Sequence, residues 1–432
     1  MLYITGLTPD ETVHHANQHS TETTGRERAE RLDQSDPLAP FLDRFEPIPD
    51  DLIYLDGNSL GRLPRHTGRD LERLLHHEWG ERLIRGWTDG WMELPKTVGD
   101  RLGQRLLGAA PGTTLIADST SVCFYKLAAA ALDARPERKT IITDTDNFPT
   151  DRYIVEALAA QTARTIDWVQ SDPRTGPRPE QLEPKLATGD VALVTFSHVS
   201  YRSAHIADTK AMTELAHDAG ALILWDLSHT VGAIDPRLEA NDVDLAVGCT
   251  YKYLNGGPGA PAFLYVHERH QHELLQPIWG WLGRADPFEM GPGYEPAPGI
   301  TRYTSGTPPI LGLTAARTGI ELSIEAGIEG IRAKSTQLTE YAIELADGLL
   351  QPLGVTLGSP RDPARRGGHV ALVHEHARTL TTQLAERNVI ADFRAPDVIR
   401  IGLSPLTTRF TDVHDGLHAL RDLLTSLRDP PS

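Results

Sequence analysis

Short apolar runs of strand length alternate with segments of helical period through the middle of this chain, and few folds accommodate that alternation. The runs stand at 114–117, 140–143, 191–196, 221–225, 245–249 and 262–266. Between them, residues 121–134 are rich in alanine and read as a helix. Residues 209–219 read as another, opening on Thr209 as its N-cap and stopping before Gly220. The pattern predicts a mostly parallel sheet flanked by helices. Residues 171–190, rich in Pro, Arg and Gly, predict a surface connection with a short helix inside it. Residues 283–309 are too crowded with Pro and Gly for a regular element, and predict a long structured loop. Two helices at 310–327 and 331–350 then lead into an α+β region: strand 368–373, helix 377–387, strand 398–402 and helix 411–427. The 432 residues suit two or three domains. The expected division is an arm and small-domain segment at 1–59, a large domain at 60–305 and a small domain at 306–432.

Charge and cysteine content narrow the partners. With 42 basic against 59 acidic residues the formal charge is −17, which argues against nucleic acid or an anionic membrane as the main partner. It leaves room for a small anion held by a local pocket. Cys123 and Cys249 are the only cysteines, too few for a disulfide framework or a thiolate zinc site, so a reduced, cytoplasmic setting is expected. No apolar run approaches the ~18 residues of a membrane helix. The first 33 residues lack the basic-then-apolar order of a signal peptide and read as a polar arm.

Two strand ends carry the chemistry. The run 221–225 ends on Asp226, and the run 245–249 leads into Thr250-Tyr-Lys252 and a glycine-rich turn. An acid and a lysine at the ends of two buried strands can face one pocket. A lysine there loses solvation, gains nucleophilicity and can form a Schiff base with an aldehyde. The aldehyde this arrangement suggests is pyridoxal phosphate (PLP), whose pyridine nitrogen needs an acidic partner. The alternative is a surface lysine and a strand-end carboxylate that never meet.

Other segments offer matching parts. Asp118-Ser-Thr-Ser-Val122 lies between a strand and a helix, where hydroxyls and free N–H groups make either an anion site or plain capping. In Asp146-Asn-Phe-Pro-Thr-Asp151, Phe148 could stack on a flat ring or fill a core, and Asp151 could reach the ring's polar edge. His229 could touch the same ring or hold its turn. Tyr251 adds an acid–base group beside Lys252. Arg400, inside an apolar run, could bind a substrate carboxylate through its planar fork or make a structural ion pair. His76-His-Glu78 lacks the second histidine of a zinc helix, and Asn255-Gly-Gly-Pro-Gly259 matches neither dinucleotide nor P-loop fingerprints. His267, His270 and His272 read as a structural group at an exposed helix start.

Taken together these segments resemble the kynureninase family, whose members are PLP enzymes of fold type I, the aspartate-aminotransferase-like class. The resemblance runs in order from Tyr54-Leu-Asp-Gly-Asn-Ser-Leu-Gly61 and Gly86-Trp87 through Thr120-Ser121, Asn147-Phe-Pro-Thr-Asp151, Trp225-Asp-Leu-Ser-His229 and Thr250-Tyr-Lys-Tyr253. It continues to Gly280-Trp281, Gly306-Thr-Pro-Pro309 and Arg400. It implies a PLP-dependent transferase-like fold: α/β, with a mostly parallel large-domain sheet and a smaller α+β C-terminal domain. It also implies Lys252 as the cofactor-binding lysine and Asp226 as partner of the pyridine nitrogen, with Phe148 stacked on the ring, Asp151 near its phenolic oxygen and His229 nearby. Thr120, Ser121 and Tyr251 would hold the phosphate. Trp281 and Thr307 would serve the site of a neighbouring subunit, hence a homodimer with shared sites. Arg400 would bind the substrate carboxylate, and Asn58, Ser59 and Trp87 the aryl end.

The implied reaction is hydrolysis of L-kynurenine to anthranilate and L-alanine, or of the 3-hydroxy compound. One departure touches specificity: Gly280-Trp-Leu-Gly-Arg284 carries Arg284 where the family pattern has His, which leaves a ring-substituted kynurenine open. The rival expectations are a cysteine-desulfurase-like lyase, which needs a cysteine on a mobile loop, and a non-catalytic scaffold, which has no need of Lys252, Asp226 and Arg400 together.

Overall fold

The computed structural model describes residues 25–428; the arm over 1–24 lies outside them. A helix runs over 25–34, and the chain then contributes the short strand β1 (Ile53–Tyr54). Seven strands follow in one sheet: β2 (Thr114–Ala117), β3 (Thr140–Asp144), β4 (Thr165–Val169), β5 (Val191–Ser197), β6 (Leu222–Asp226), β7 (Leu245–Gly248) and β8 (Ala262–Val266). Their order is β2-β8-β7-β6-β5-β3-β4, parallel except that β8 runs antiparallel to both β2 and β7. Side chains alternate across it into two cores. Ile223, Trp225, Ala246 and Phe263 face one way, with Leu102, Met212 and Leu313 from helices. Leu222, Leu224, Leu245, Val247 and Leu264 face the other, with Phe124, Leu127 and Leu158. Both faces are covered, as a mostly parallel sheet requires.

The predicted strands appear within a residue or two of their expected bounds, and in the large sheet one strand was not expected. β4 was not expected because Thr165–Val169 is an edge strand, exposed at its start, so polar residues interrupt its apolar pattern. The helix Thr209–Asp218 is capped by Asp208, whose carboxylate accepts from the Ala211 N–H at 3.0 Å, not by Thr209. Residues 283–309 hold only short 3₁₀ turns, as the proline content predicts.

The C-terminal region carries a second, antiparallel sheet of β9 (Thr356–Leu357), β10 (His369–Val373), β12 (Asp392–Arg394) and β13 (Val398–Gly402), in the order β12-β13-β10-β9. β11 (Val389–Ile390) pairs in parallel with β1, so the N-terminal segment joins this part of the fold. The helix Ile310–Ala326 packs instead on the large sheet through Leu313, Ala316 and Ile320. Among the described residues no helix is long and apolar enough to cross a membrane.

Asp244 anchors the end of the sheet remote from the strand ends that carry Asp226 and Lys252. Its carboxylate accepts from the Ile223 N–H and from His217 at 3.0 Å each, from His270 at 2.7 Å and from Arg269. His270 is thus buried in an ion-pair cluster and does not stand at an exposed helix start. Burial pushes the Asp244 carboxyl up, but hydrogen bonds from His217, His270 and Arg269 outweigh it and hold it far below the usual range. With a depressed folded pKa, its contribution is complete above roughly pH 4 and is lost as pH falls through the depressed value. His217 is raised by its bond to Asp244, so its contribution is complete below about pH 6.5 and fades as pH rises through the raised value. Asp244→Asn is expected to destabilise the protein by about 3–5 kcal/mol in urea unfolding at pH 6, because Arg269, His217 and His270 lose a charged, buried acceptor. A loss under about 1 kcal/mol would show that the cluster adds no net stability.

Candidate active site

Parallel strands present their carboxyl ends on one edge, where open α/β sheets hold ligands. Four of those ends carry the residues singled out above. Asp226 is the last residue of β6, Lys252 follows β7 by four residues, the Asn147–Asp151 turn follows β3, and the Ser119–Ser121 turn follows β2.

Two close backbone approaches hold the Lys252 turn. The Gly61 N–H donates to the Tyr251 carbonyl at 2.8 Å, and a Cβ on Gly61 would lie 2.4 Å from the Lys252 carbonyl oxygen. Gly319, in the helix Ile310–Ala326, lies so close that a Cβ there would meet the Leu254 carbonyl at 2.0 Å. Backbone approach that close excludes any side chain.

Lys252 Nζ lies 3.0 Å from His229 Nε2 and 5.9 Å from the centre of the Phe148 ring. Burial, then the charge of Lys252, pushes His229 well below its usual pKa, so the imidazole is neutral and accepts from the ammonium. The Phe148 ring meets Tyr201 edge-on at 5.4 Å, which fixes its plane. Phe148 also precedes the helix Pro149–Gln161, whose first turn carries Asp151.

Asp151 and Asp226 are both buried and interact directly. Asp226 Oδ1 accepts from the Ser228 N–H at 2.8 Å and its hydroxyl at 2.6 Å. Asp151 Oδ2 has no partner. Burial and then the charge of Asp226 raise the Asp151 carboxyl well above its usual range, so Asp151 keeps its proton more readily than a free carboxyl does. A cationic N–H inserted beside them would restore the lost partner. Beside Lys252, the Tyr251 phenol is pushed above its usual range by Cys249 and by burial, and keeps its proton.

Arg400 reaches the same region from β13. It is 1% exposed. One terminal nitrogen donates to the Tyr201 carbonyl at 2.6 Å; the other donates to Ser59 Oγ at 2.6 Å and to Asp392. With the Asn58 amide oxygen facing it, Nε donates at 3.0 Å, while the Asn58 nitrogen donates to Asp56 at 3.2 Å. Thus Asn58, Ser59 and Arg400 meet, from opposite ends of the chain. Burial raises Asp56, near this group, to about 6.

Thr120 and Ser121 open the helix Thr120–Asp133, capped by Ser119, whose hydroxyl accepts from the Val122 N–H at 3.4 Å. Trp87, Trp281 and Thr307 have other surroundings. Trp87 packs edge-on against Trp91 at 5.4 Å, Trp281 is 43% exposed and edge-on to Phe288, and Thr307 is exposed. Arg284 pairs with Glu289 inside its own loop.

Three further residues complete the site without any sequence signal read above. Tyr201 buttresses Phe148, Asp392 pairs with Arg400, and His369 lies fully buried 5.4 Å from the His229 ring with both nitrogens unpartnered. A polar residue inside the apolar strand pattern, as at His369 in β10, is the signal that could have found it.

The residues present fit PLP. The acid pair suits a protonated ring nitrogen, Phe148 offers a face for the ring, Lys252 an amine for the aldehyde, and the Ser119–Ser121 turn suits an anion. Comparison with known proteins agrees. Residues 331–420 match the family model described as the kynureninase C-terminal domain. The chain is similar to kynureninase of Burkholderia pseudomallei, 42% identical over 405 residues that cover 92% of this chain and 95% of that one. It is similar to kynureninase of Pseudomonas fluorescens, 40% identical over 400 residues, 91% and 94% of the two chains. Among solved structures, the apo cysteine desulfurase of Thermococcus onnurineus NA1 superposes with a TM-score of 0.75 at 18% identity, covering 92% of this chain and 98% of that one. A C-DES mutant with glycine covalently linked to its PLP cofactor superposes with a TM-score of 0.76 at 18% identity, covering 86% and 97%. These two establish the fold, which is fold type I.

Proposed function

The chain belongs to the kynureninase family, and from that premise we propose how its residues carry out the reaction and on which substrate. It is a PLP-dependent hydrolase that cleaves the Cβ–Cγ bond of a kynurenine to give an anthranilate and L-alanine. PLP, when bound, supplies an aldehyde for the substrate amine and a ring that accepts electrons from Cα.

The observation that carries the assignment of roles is the convergence of Lys252, His229, Phe148 and the Asp151–Asp226 pair at adjacent strand ends. Asp226, seconded by Asp151, would keep the ring nitrogen protonated. Phe148 would offer a face to the ring with His229 nearby, and Thr120, Ser121 and Tyr251 would hold the phosphate. Lys252 would move the proton of Cα. Arg400 binds the α-carboxylate, with Ser59 and Asn58 beside it. Tyr251 holds the proton needed when water adds to the γ-carbonyl and Cβ is later reprotonated. Trp87 lines the aryl end.

We also propose a homodimer in which Trp281 and Thr307 serve the partner's site. Their exposure supports this, as does that of Trp279, Phe288 and Met290 on the same loop. We propose the division into an arm and small-domain segment at 1–59, a large domain at 60–305 and a small domain at 306–432, with the helix Ile310–Ala326 of the last packed on the large sheet. Cys123 and Cys249 are free and buried, which supports a reducing, cytoplasmic setting. It also counts against a cysteine-desulfurase reading, which requires an accessible thiol.

L-Kynurenine or its 3-hydroxy form is the proposed substrate. Purified protein should be yellow and release a fluorescent anthranilate from one of them. Comparing kcat/KM for kynurenine, 3-hydroxykynurenine and ring-alkylated analogues ranks the aryl pocket. Protein that is yellow but inert toward all of them refutes the substrate assignment.

A further inference from the structure

The helix Thr120–Asp133 is apolar almost throughout, and Lys126 within it is 0% exposed. A lysine that deep stays charged only if its three donors are met. They are. Nζ donates to Asp118 Oδ2 at 2.6 Å, to Ser305 Oγ at 3.1 Å and to the Tyr303 carbonyl. The Ser305 hydroxyl also donates to Asp118 Oδ2 at 3.1 Å, closing a ring of three side chains.

This ring lies directly under the turn read above as the phosphate site. Helical side chains lean toward the N-terminus, so an ammonium from the second turn reaches back beneath the first. Asp118 immediately precedes Ser119-Thr120-Ser121 and adopts φ +46°, a left-handed conformation that non-glycine residues rarely take without support. Its carbonyl is pinned by the Ala262 N–H at 2.9 Å and its carboxylate by Lys126 and Ser305. On the far side the ammonium holds Tyr303 and Ser305, just ahead of Gly306-Thr307.

We propose that Lys126 is a positioning residue for the phosphate end of the cofactor site. Through Asp118 it presets the turn so that the hydroxyls and N–H groups of Ser119–Ser121 converge before the anion arrives, and it locks that turn to the 303–305 segment. The proposal rests on the reading that this turn takes the PLP phosphate. Preorganised donors gain most where the charge is largest, so the effect belongs to the phosphate and not to the ring.

The test separates the two ends of the cofactor. Full-length enzyme is stripped of PLP and titrated with PLP and with pyridoxal, which lacks the phosphate, following visible absorbance. In Lys126→Met the affinity for PLP is expected to fall about 10–100-fold while that for pyridoxal changes less than about threefold, the size of a lost hydrogen bond to a charged group. Because the single change strands Asp118, the double variant Lys126→Met/Asp118→Asn, which removes both charges, is measured beside it and is expected to show the same selective loss. Equal weakening of PLP and pyridoxal, or no weakening of either in the double variant, overturns the proposal and leaves Lys126 as core support. If the unaltered enzyme itself binds PLP no better than pyridoxal, the phosphate reading of the turn falls, and that failure is visible before any substitution.

Discussion

Lys252→Ala is expected to lower anthranilate release by a factor on the order of 10⁴ or more, with loss of the visible absorbance of the bound cofactor. The reason is double. In the proposed mechanism the amine is the covalent attachment point and also the base that takes the Cα proton. No neighbour replaces it: His229, at 3.0 Å, is a buried imidazole held neutral, and Tyr251 retains its proton. The loss should not come from unfolding. Lys252 is only half-buried, and the group it hydrogen-bonds is an uncharged imidazole, so its removal breaks no direct ion pair. A melting temperature within a few degrees of the parent, roughly what 1 kcal/mol produces in a protein of this size, together with a colourless and inert enzyme, is the expected pair of results. A variant that kept a tenth of the turnover would remove Lys252 from the chemistry.

Arg400→Gln is expected to raise KM for kynurenine by about 100-fold or more, with kcat less affected, because a planar fork that binds a carboxylate in ground and transition states alike contributes mainly to binding. It should also destabilise the fold by about 1–3 kcal/mol, since Asp392 keeps Arg394 and Ser59 but loses its buried hydrogen bond from Arg400. In this structure the Arg400 donors already meet Tyr201, Ser59, Asp392 and Asn58. A substrate carboxylate bound at Arg400 would therefore exchange with part of that set. Stability and binding are separated by an analogue lacking the α-carboxylate. The parent should bind it poorly relative to kynurenine, and Arg400→Gln should bind the two about equally. If the variant discriminated between them as the parent does, the carboxylate would be bound elsewhere.

Much of the site was legible in the chain itself, for a reason visible at Asp226 and Lys252. In a parallel sheet the catalytic groups sit where strands end, and an apolar run that stops on Asp, or leads into a lysine and a glycine-rich turn, marks such an end locally. Phe148 and Asp151 were legible for the same reason, as they follow β3 within one turn. The strand β4 escaped because its first four residues are exposed or only partly buried, so polar residues interrupt its apolar run. His369 escaped because a single histidine inside a strand looks the same whether it meets water, a core or an active site.

The order of strands and helices, the Lys252 turn and the acid upstream of it follow from the sequence alone, because each depends on neighbours a few residues away. Which of those groups meet was decided only by the tertiary structure. Arg400 finds Ser59 across 341 positions, Lys126 finds Ser305 across 179, and His229 faces His369 from another sheet. Burial forces such pairings. Once a charged or polar group is taken out of water it needs partners, and the chain supplies them from whichever remote segment the packing brings within 3 Å.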